Sequence, residues 1–334
     1  MQQMSSDDLR FALLNDWQRD FPVVQEPFAA IASASAASVL EVLRGYQGLL
    51  RSGAISRIGG IWGVGAAGAA MLCACAVPPS RLDAVAAIVS AHPGVNHNYE
   101  REHYFNLWFV VTARNPRSLA DAVDRLDART GCKALRLRMR RAYRIDLGFD
   151  LRQPLAASGA LSARSVAPVD EADAALAALL ENGLPLVERP YDAWADRLQW
   201  PRQQVLNTLR RWLREGTLRR YGAIVRHHEA GFGHNAMSVF DVPDALVDRR
   251  GEVLAGQSGV TLAYRRERDQ GWPYNLYCMV HGRDRDAVKA AINAAIVKSE
   301  LAAHPSAVLF SRRRFKQTGG GYFREAASEV MHAA

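Results

Sequence analysis

His97 and Tyr99 stand two apart in the segment VNHNYER, so in an extended strand their side chains share one face, with Arg101 following them. A histidine titrates near neutrality and a tyrosine can carry a proton, so a pair placed to act together suits general acid–base work. Arginine suits the bidentate holding of carboxylates. A second set, Tyr264, Arg265 and Arg266, lies in VTLAYRRERDQGWPYNLYCMVHG. Adjacent strand residues point to opposite faces, so at most one of these two arginines faces a ligand. A third set, His227 and His228, lies in VRHHEAGFGHNAM. Tyr104, Trp108, Trp272, Tyr274 and Tyr277 could wall a flat apolar ligand, with Asn106 and Asn275 close by. The plainer alternatives are ordinary strand packing for the aromatics, an exposed loop for the histidine pair, and sheet-end hydrogen bonding for the asparagines.

These sets fall in corresponding places because the chain repeats itself. Pro22 and Pro185, Pro27 and Pro190, Gly53 and Gly216, and Gly59 and Gly222 recur at one spacing. Further on, Asn106-Leu107 matches Asn275-Leu276, with the added residues falling in connections. His97 is matched by Leu262, and Arg226-His227-His228 by Gly63-Val64-Gly65, so each half lacks a histidine that the other keeps. That favours one composite site between the halves.

A net charge of +8 with a pI near 9.6 calls for an anionic partner: nucleic acid, an acidic membrane or a polycarboxylate. Four cysteines, including Cys73 and Cys75 as CxC, make neither a disulfide framework nor a zinc pattern and suit a reducing cytoplasm, where the chain is expected. The opening MQQMSSDDLRF has no basic stretch before an apolar core, so no signal peptide is expected. Ile58–Pro79 is uncharged and long enough to suggest a membrane span, but its counterpart carries Arg226, His227, His228 and Glu229, which argues against one. Gly63, Gly65 and Gly68 spell GxGxxG without the surrounding βαβ series that a dinucleotide site needs.

In each half, helical spacing predicts three helices and a strand, a winged helix-turn-helix: 5–19, 22–31, 36–50 and strand 56–62, then 171–181, 191–198, 202–215 and strand 218–225. Pro201 sits where a first-turn proline belongs, and Gly216 ends the helix after it. A βαββαβ series follows each, implying an antiparallel ferredoxin-like sheet with helices on one face. The expected fold class is α+β, a tandem duplication of winged helix-turn-helix plus ferredoxin-like domain. Its boundaries are 1–62, 63–148, a linker 149–170 rich in Ala, Ser and Pro, 171–225, 226–318, and a tail 319–334.

This order resembles the AsnC/Lrp regulators, and VRHHEAGFGHNAMSVFDVPD, VTLAYRRERDQGWPYNLYCMVHG, VLFSRRRFK and VNHNYEREHYFNLWFV together resemble the siroheme decarboxylases, in their fused two-repeat form of heme d1 synthesis. The resemblance implies conversion of siroheme to 12,18-didecarboxysiroheme by loss of two acetate carboxylates. It implies no cofactor beyond the substrate, whose iron could take an axial histidine, and no protein-bound metal. His97 and His227 then lead the candidates for proton donor, ahead of Tyr99 and Tyr264. Arg101, Arg265, Arg266, His228, Tyr104, Trp108, Trp272, Tyr274 and Asn275 would bind the substrate. An arginine on the departing carboxylate would slow its loss, so the arginines are expected to hold carboxylates that do not react. The expected partners are siroheme and either a second copy or a related decarboxylase subunit, with no membrane. A DNA-binding regulator is the rival, carried by Arg202, Gln203, Asn207, Arg210 and Arg211 in the second half, but the first half has few basic groups in the equivalent helix. A tetrapyrrole sensor without turnover is the other.

Overall fold

The computed structural model describes residues 5–145, 152, 166–225 and 234–323. The first repeat runs α1 (Ser6–Asn15), α2 (Pro27–Ala34), α3 (Val39–Arg51), β1 (Ile55–Trp62), β2 (Ala69–Cys75), α4 (Leu82–Ala91), β3 (Val95–Arg101), β4 (Leu107–Ala113), α5 (Pro116–Thr130) and β5 (Leu135–Ile145). The second runs α6 (Ala174–Asn182), α7 (Pro190–Leu198), α8 (Arg202–Glu215), β6 (Leu218–Val225), β7 (His234–Phe240), α9 (Val247–Ala255), β8 (Val260–Arg266), β9 (Leu276–Gly282), α10 (Arg285–Lys298) and β10 (Ser306–Gln317). Local chemistry sets the ends. Ser38 and Glu41 close a reciprocal capping box on α3, and Gly216 ends α8 in the left-handed conformation at φ 77°. Several boundaries differ from the sequence expectation, the first helix ending at Asn15 rather than residue 19 and the third starting at Val39 rather than residue 36. The second helix starts at Pro27 rather than residue 22, a 3₁₀ turn precedes α6, and Pro201 is the N-cap of α8, extended at ψ 135°.

The described residues of Met1–Ala67, Arg164–Ala230 and Phe323–Ala334 form one compact unit, and those of Gly68–Ala163 and Gly231–Tyr322 form another. In the first unit the wing strand of each repeat pairs with that of the other, β1 antiparallel to β6 with Gly59 opposite Gly222. Both glycines are needed for close approach: a Cβ on Gly222 would stand 2.3 Å from the Trp17 carbonyl oxygen.

In the second unit the two βαββαβ sheets do not stay separate, as the sequence expectation had them. They close into one eight-stranded antiparallel barrel in the order β10-β3-β4-β2-β5-β8-β9-β7. The long strands β5 and β10 make the closure. Each pairs with its own repeat through its first half and with the other repeat through its second. Alternation then sorts the side chains. One face of each sheet packs on its helices, with Val85, Leu119 and Val123 over the first sheet and Val247, Leu254 and Val288 over the second. The other faces meet inside the barrel, around Trp108, Leu137, Met237, Trp272, Tyr277 and Leu309.

GxGxxG falls in the connection from β1 to β2, with a strand rather than a helix after it, so no helix N-terminus is offered to a phosphate. Among the described residues no single helix is long and apolar enough to cross a membrane. The cysteines described are free thiols.

Candidate functional site

Two seams join the repeats in the barrel, and they are related position for position. In the β3–β10 seam Ser311 faces Arg101, Arg314 faces Tyr99 and Gln317 faces His97. In the β5–β8 seam the corresponding pairs are Met139 with Arg266, Ala142 with Tyr264 and Ile145 with Leu262. The first seam is therefore polar where the second is largely apolar. Only the first places an imidazole on the seam strand itself.

The arginines keep the symmetry. Arg101 donates to the Leu309 carbonyl (3.1 Å) and approaches the Met279 sulfur (3.8 Å), while Arg266 donates to the Leu137 carbonyl (3.0 Å). The Nε of each is buried without a hydrogen-bond partner. Among the described residues neither guanidinium has a carboxylate within ion-pair distance. Burial pulls Arg101 down to about 10, partly offset by Tyr99, and burial likewise pulls Arg266 below its ordinary value. A buried cation in an apolar barrel with no anion beside it is costly, and a carboxylate brought by a ligand would relieve that cost.

His97 and Tyr99 share a face, their rings stacked at 6.2 Å between centroids, and the Arg101 guanidinium lies 5.7 Å from the Tyr99 ring. Burial, helped by the Arg101 charge, drives His97 down to about 4, so its imidazole is neutral at pH 7. Burial raises Tyr99, against the pull of Arg101 and Arg314. In the other seam Tyr264 lies under Arg266, 5.1 Å from guanidinium to ring centroid. Arg265 points the opposite way, toward Asp244 (3.2 Å) and Asp248 (3.6 Å) beside α9. A cleft of about 750 Å³ opens beside this second seam, lined by Arg140, Asp244, Arg265, Arg266, Glu267 and Arg268.

Other residues nominated by the sequence sit elsewhere. Trp108 and Trp272 are 2% and 1% exposed and pack on each other at 5.1 Å. Their N–H groups are spent on the Phe105 carbonyl and the Tyr277 hydroxyl, and Tyr274 packs on Trp272 at 4.8 Å. Tyr104 is 77% exposed. Asn275 binds the backbone N–H and C=O of Val242, as Asn106 binds those of Val77. His227 and His228 lie outside the described residues. Asn96 and Thr112, which hold the His97 ring, were not among the sequence candidates. Their types carry no catalytic signal; Asn96 is the chain neighbour of His97, and strand pairing brings Thr112 to Asn96. Among the described residues no group of three or more His, Cys, Asp or Glu is placed to hold a metal ion.

Family models match almost all of this framework. The AsnC-like ligand binding domain matches residues 65–144 and 229–316, and the siroheme decarboxylase NirDL-like HTH domain matches 11–55 and 173–219. A siroheme decarboxylase NirDL subunit of Paracoccus denitrificans is 39% identical over 97% of this chain and 100% of its own length. The chain belongs to the siroheme decarboxylase family. Half-length members match too: a siroheme decarboxylase NirL subunit of Stutzerimonas stutzeri is 46% identical over 43% of this chain and 85% of its own. The crystal structure of the siroheme decarboxylase NirDL in co-complex with an iron-uroporphyrin III analogue aligns with a TM-score of 0.68 at 29% identity, over 98% of this chain and 99% of that one.

Proposed function

We propose that this member of the family is a siroheme decarboxylase that removes two acetate carboxylates to give 12,18-didecarboxysiroheme, with no cofactor beyond its substrate. The observation that carries the reading is a pair of related arginines, Arg101 buried and Arg266 half-buried, each donating to a backbone carbonyl of the barrel and neither ion-paired among the described residues. A flat macrocycle fringed with carboxylates meets both demands. The β3–β10 seam is the reactive one, because it places His97 and Tyr99 beside Arg101. Arg101 anchors a carboxylate that stays. Arg266 serves another, with Tyr264 beside it.

Each turnover begins with protonation of a ring carbon next to the acetate-bearing carbon. The bond from the acetate CH2 to its carboxylate then breaks, CO2 leaves, and the electron pair flows into the protonated macrocycle. The CH2 takes up a proton to become methyl, and the ring carbon returns its own. The net change is one proton consumed per CO2 released. His97, charged once substrate carboxylates raise its pKa, delivers these protons with Tyr99 as its neighbour.

The regulator reading draws little support from α8. Arg210 is turned onto the Val23 carbonyl (3.2 and 2.7 Å) and Arg211 is ion-paired with Asp173, so two of its cations are committed to the protein itself. Anaerobic incubation with siroheme, followed by mass spectrometry of the extracted tetrapyrrole, tests the proposal. Loss of two CO2 units is expected. Unchanged siroheme, with the substrate turned over by a control enzyme, would overturn it in favour of a sensor or a regulator.

A further inference from the structure

A chain of hydrogen bonds behind His97 has a polarity that can be read from its far end. The Gly94 carbonyl oxygen can only accept, and the Thr112 hydroxyl donates to it at 3.2 Å. That commits the only hydrogen of Thr112, so toward Asn96 its Oγ1 must accept. The Asn96 Nδ2 donates to it at 3.4 Å, which turns the amide oxygen toward the ring. Asn96 Oδ1 stands 2.6 Å from His97 Nδ1, and an amide oxygen cannot donate. The flipped amide would face Thr112 oxygen to oxygen, forcing the hydroxyl off Gly94. Asn96 is 4% exposed and its own carbonyl is held by the Thr318 N–H at 2.8 Å, so the residue cannot simply turn to water.

We propose that Asn96 is a positioning residue that fixes neutral His97 as the Nδ1–H tautomer and leaves its Nε2 bare. The decarboxylase reading supplies only the consequence for turnover: the ring enters the reaction as a base or an iron ligand, and it must be charged at Nε2 before it can act as an acid. The second repeat keeps a similar anchor but moves the imidazole. Thr261 replaces Asn96, Leu262 replaces His97 and His281 replaces Thr112. There the Thr261 hydroxyl reaches both the Met279 carbonyl (3.2 Å) and His281 Nδ1 (2.9 Å), on β9 rather than on the seam strand. The charged and titratable groups around His97 are Tyr99 and Arg101 on its own strand and Arg314 and Lys316 on β10. Lys316 is turned away, to the Ser90 and His92 carbonyls. On β4 the partner is Val110.

Long-range proton–nitrogen spectra of the full-length, histidine-labelled protein without substrate read the tautomer directly, with His97 assigned from His97→Gln. The wild type is expected to show a protonated Nδ1 and a bare Nε2 at neutral pH. Asn96→Leu should shift the ring toward Nε2–H and lower kcat by about ten- to a hundredfold, with siroheme affinity little changed. Asn96→Asp keeps the acceptor and adds a charge. It should restore the Nδ1–H form and move the alkaline limb of kcat, where the charged ring loses its proton, to higher pH, which a merely structural role would not do. If Asn96→Leu fails to fold, Thr112→Val frees the same amide and should blur the tautomer. A wild-type ring protonated on Nε2, or a tautomer unchanged in the folded variant that loosens the amide, would overturn the proposal. Full turnover by His97→Gln would instead overturn the role of His97 in the reaction, and the tautomer would stand.

Discussion

Arg101 carries the conflict between folding and binding most plainly, because its guanidinium is buried against a carbonyl and a thioether and meets no anion among the described residues. Even a buried ion pair is often replaced by apolar groups with a gain of about 1–4 kcal/mol, and a buried charge without an anion carries the desolvation cost with no such attraction to offset it. Arg101→Met is therefore expected to raise the urea midpoint of the substrate-free protein while weakening siroheme binding at least tenfold, about 1.4 kcal/mol or more. Lower stability without ligand would show that the arginine is structural. His97 adds a pH dependence with a definite sign. Its folded pKa is about 4 against an ordinary 6.5, so between these values the unfolded chain binds more protons. Its contribution to stability is complete above 6.5 and is lost as the pH falls toward 4. Urea midpoints at pH 7 and pH 5 should fall further in the wild type than in His97→Gln; an equal fall in both would count against the buried, neutral ring.

At the scale of the elements, the hairpins are held by Asn106 and Asn275, each closing a two-way clamp on a backbone amide, of Val77 and Val242 respectively. Asn275 is 1% exposed, and Asn275→Ala would leave a buried N–H and C=O unmade, at a cost of about 1–3 kcal/mol in urea unfolding. A variant of wild-type stability that no longer bound siroheme would return Asn275 to the substrate. The repeat, the βαββαβ order and the opposite facing of Arg265 and Arg266 were legible in the sequence, since each depends on local spacing. Barrel closure was not, because the β3–β10 and β5–β8 pairings join residues roughly two hundred and more than a hundred positions apart, and no local pattern fixes such a register. The aromatics show the same limit. Trp108 lies on β4 and Trp272 in the connection between β8 and β9, and no local pattern says that each is buried against the other. Asn96 was missed for a related reason: its partner Thr112 lies on the neighbouring strand.

At the scale of the whole molecule, the barrel makes each repeat incomplete alone. The β3 edge of one sheet is covered by β10 of the other repeat, and β8 by β5, so a lone first repeat would leave β3 and the second half of β5 open, and a lone second repeat β8 and the second half of β10. Closure also explains how one site can be kept while its twin drifts. His97, Tyr99 and Arg101 come from the first repeat, Ser311, Arg314 and Gln317 from the second, and the related seam has Leu262 in place of the imidazole and Met139, Ala142 and Ile145 in place of the three polar partners. Cutting the chain in the stretch between the repeats should therefore leave assembly intact. Separately encoded residues 1–148 and 171–334, co-expressed with a tag on one, are expected to co-purify as a one-to-one pair, whereas either alone should self-associate through its open edges. The sharper outcome concerns which seam forms. If His97 acts from the β3–β10 seam, a pair carrying His97→Gln should lose turnover, and a pair carrying Leu262→Gln should keep it. Halves that purify as separate monomers would break the link between closure and site, and a pair disabled by the change at Leu262 would move the reaction to the other seam.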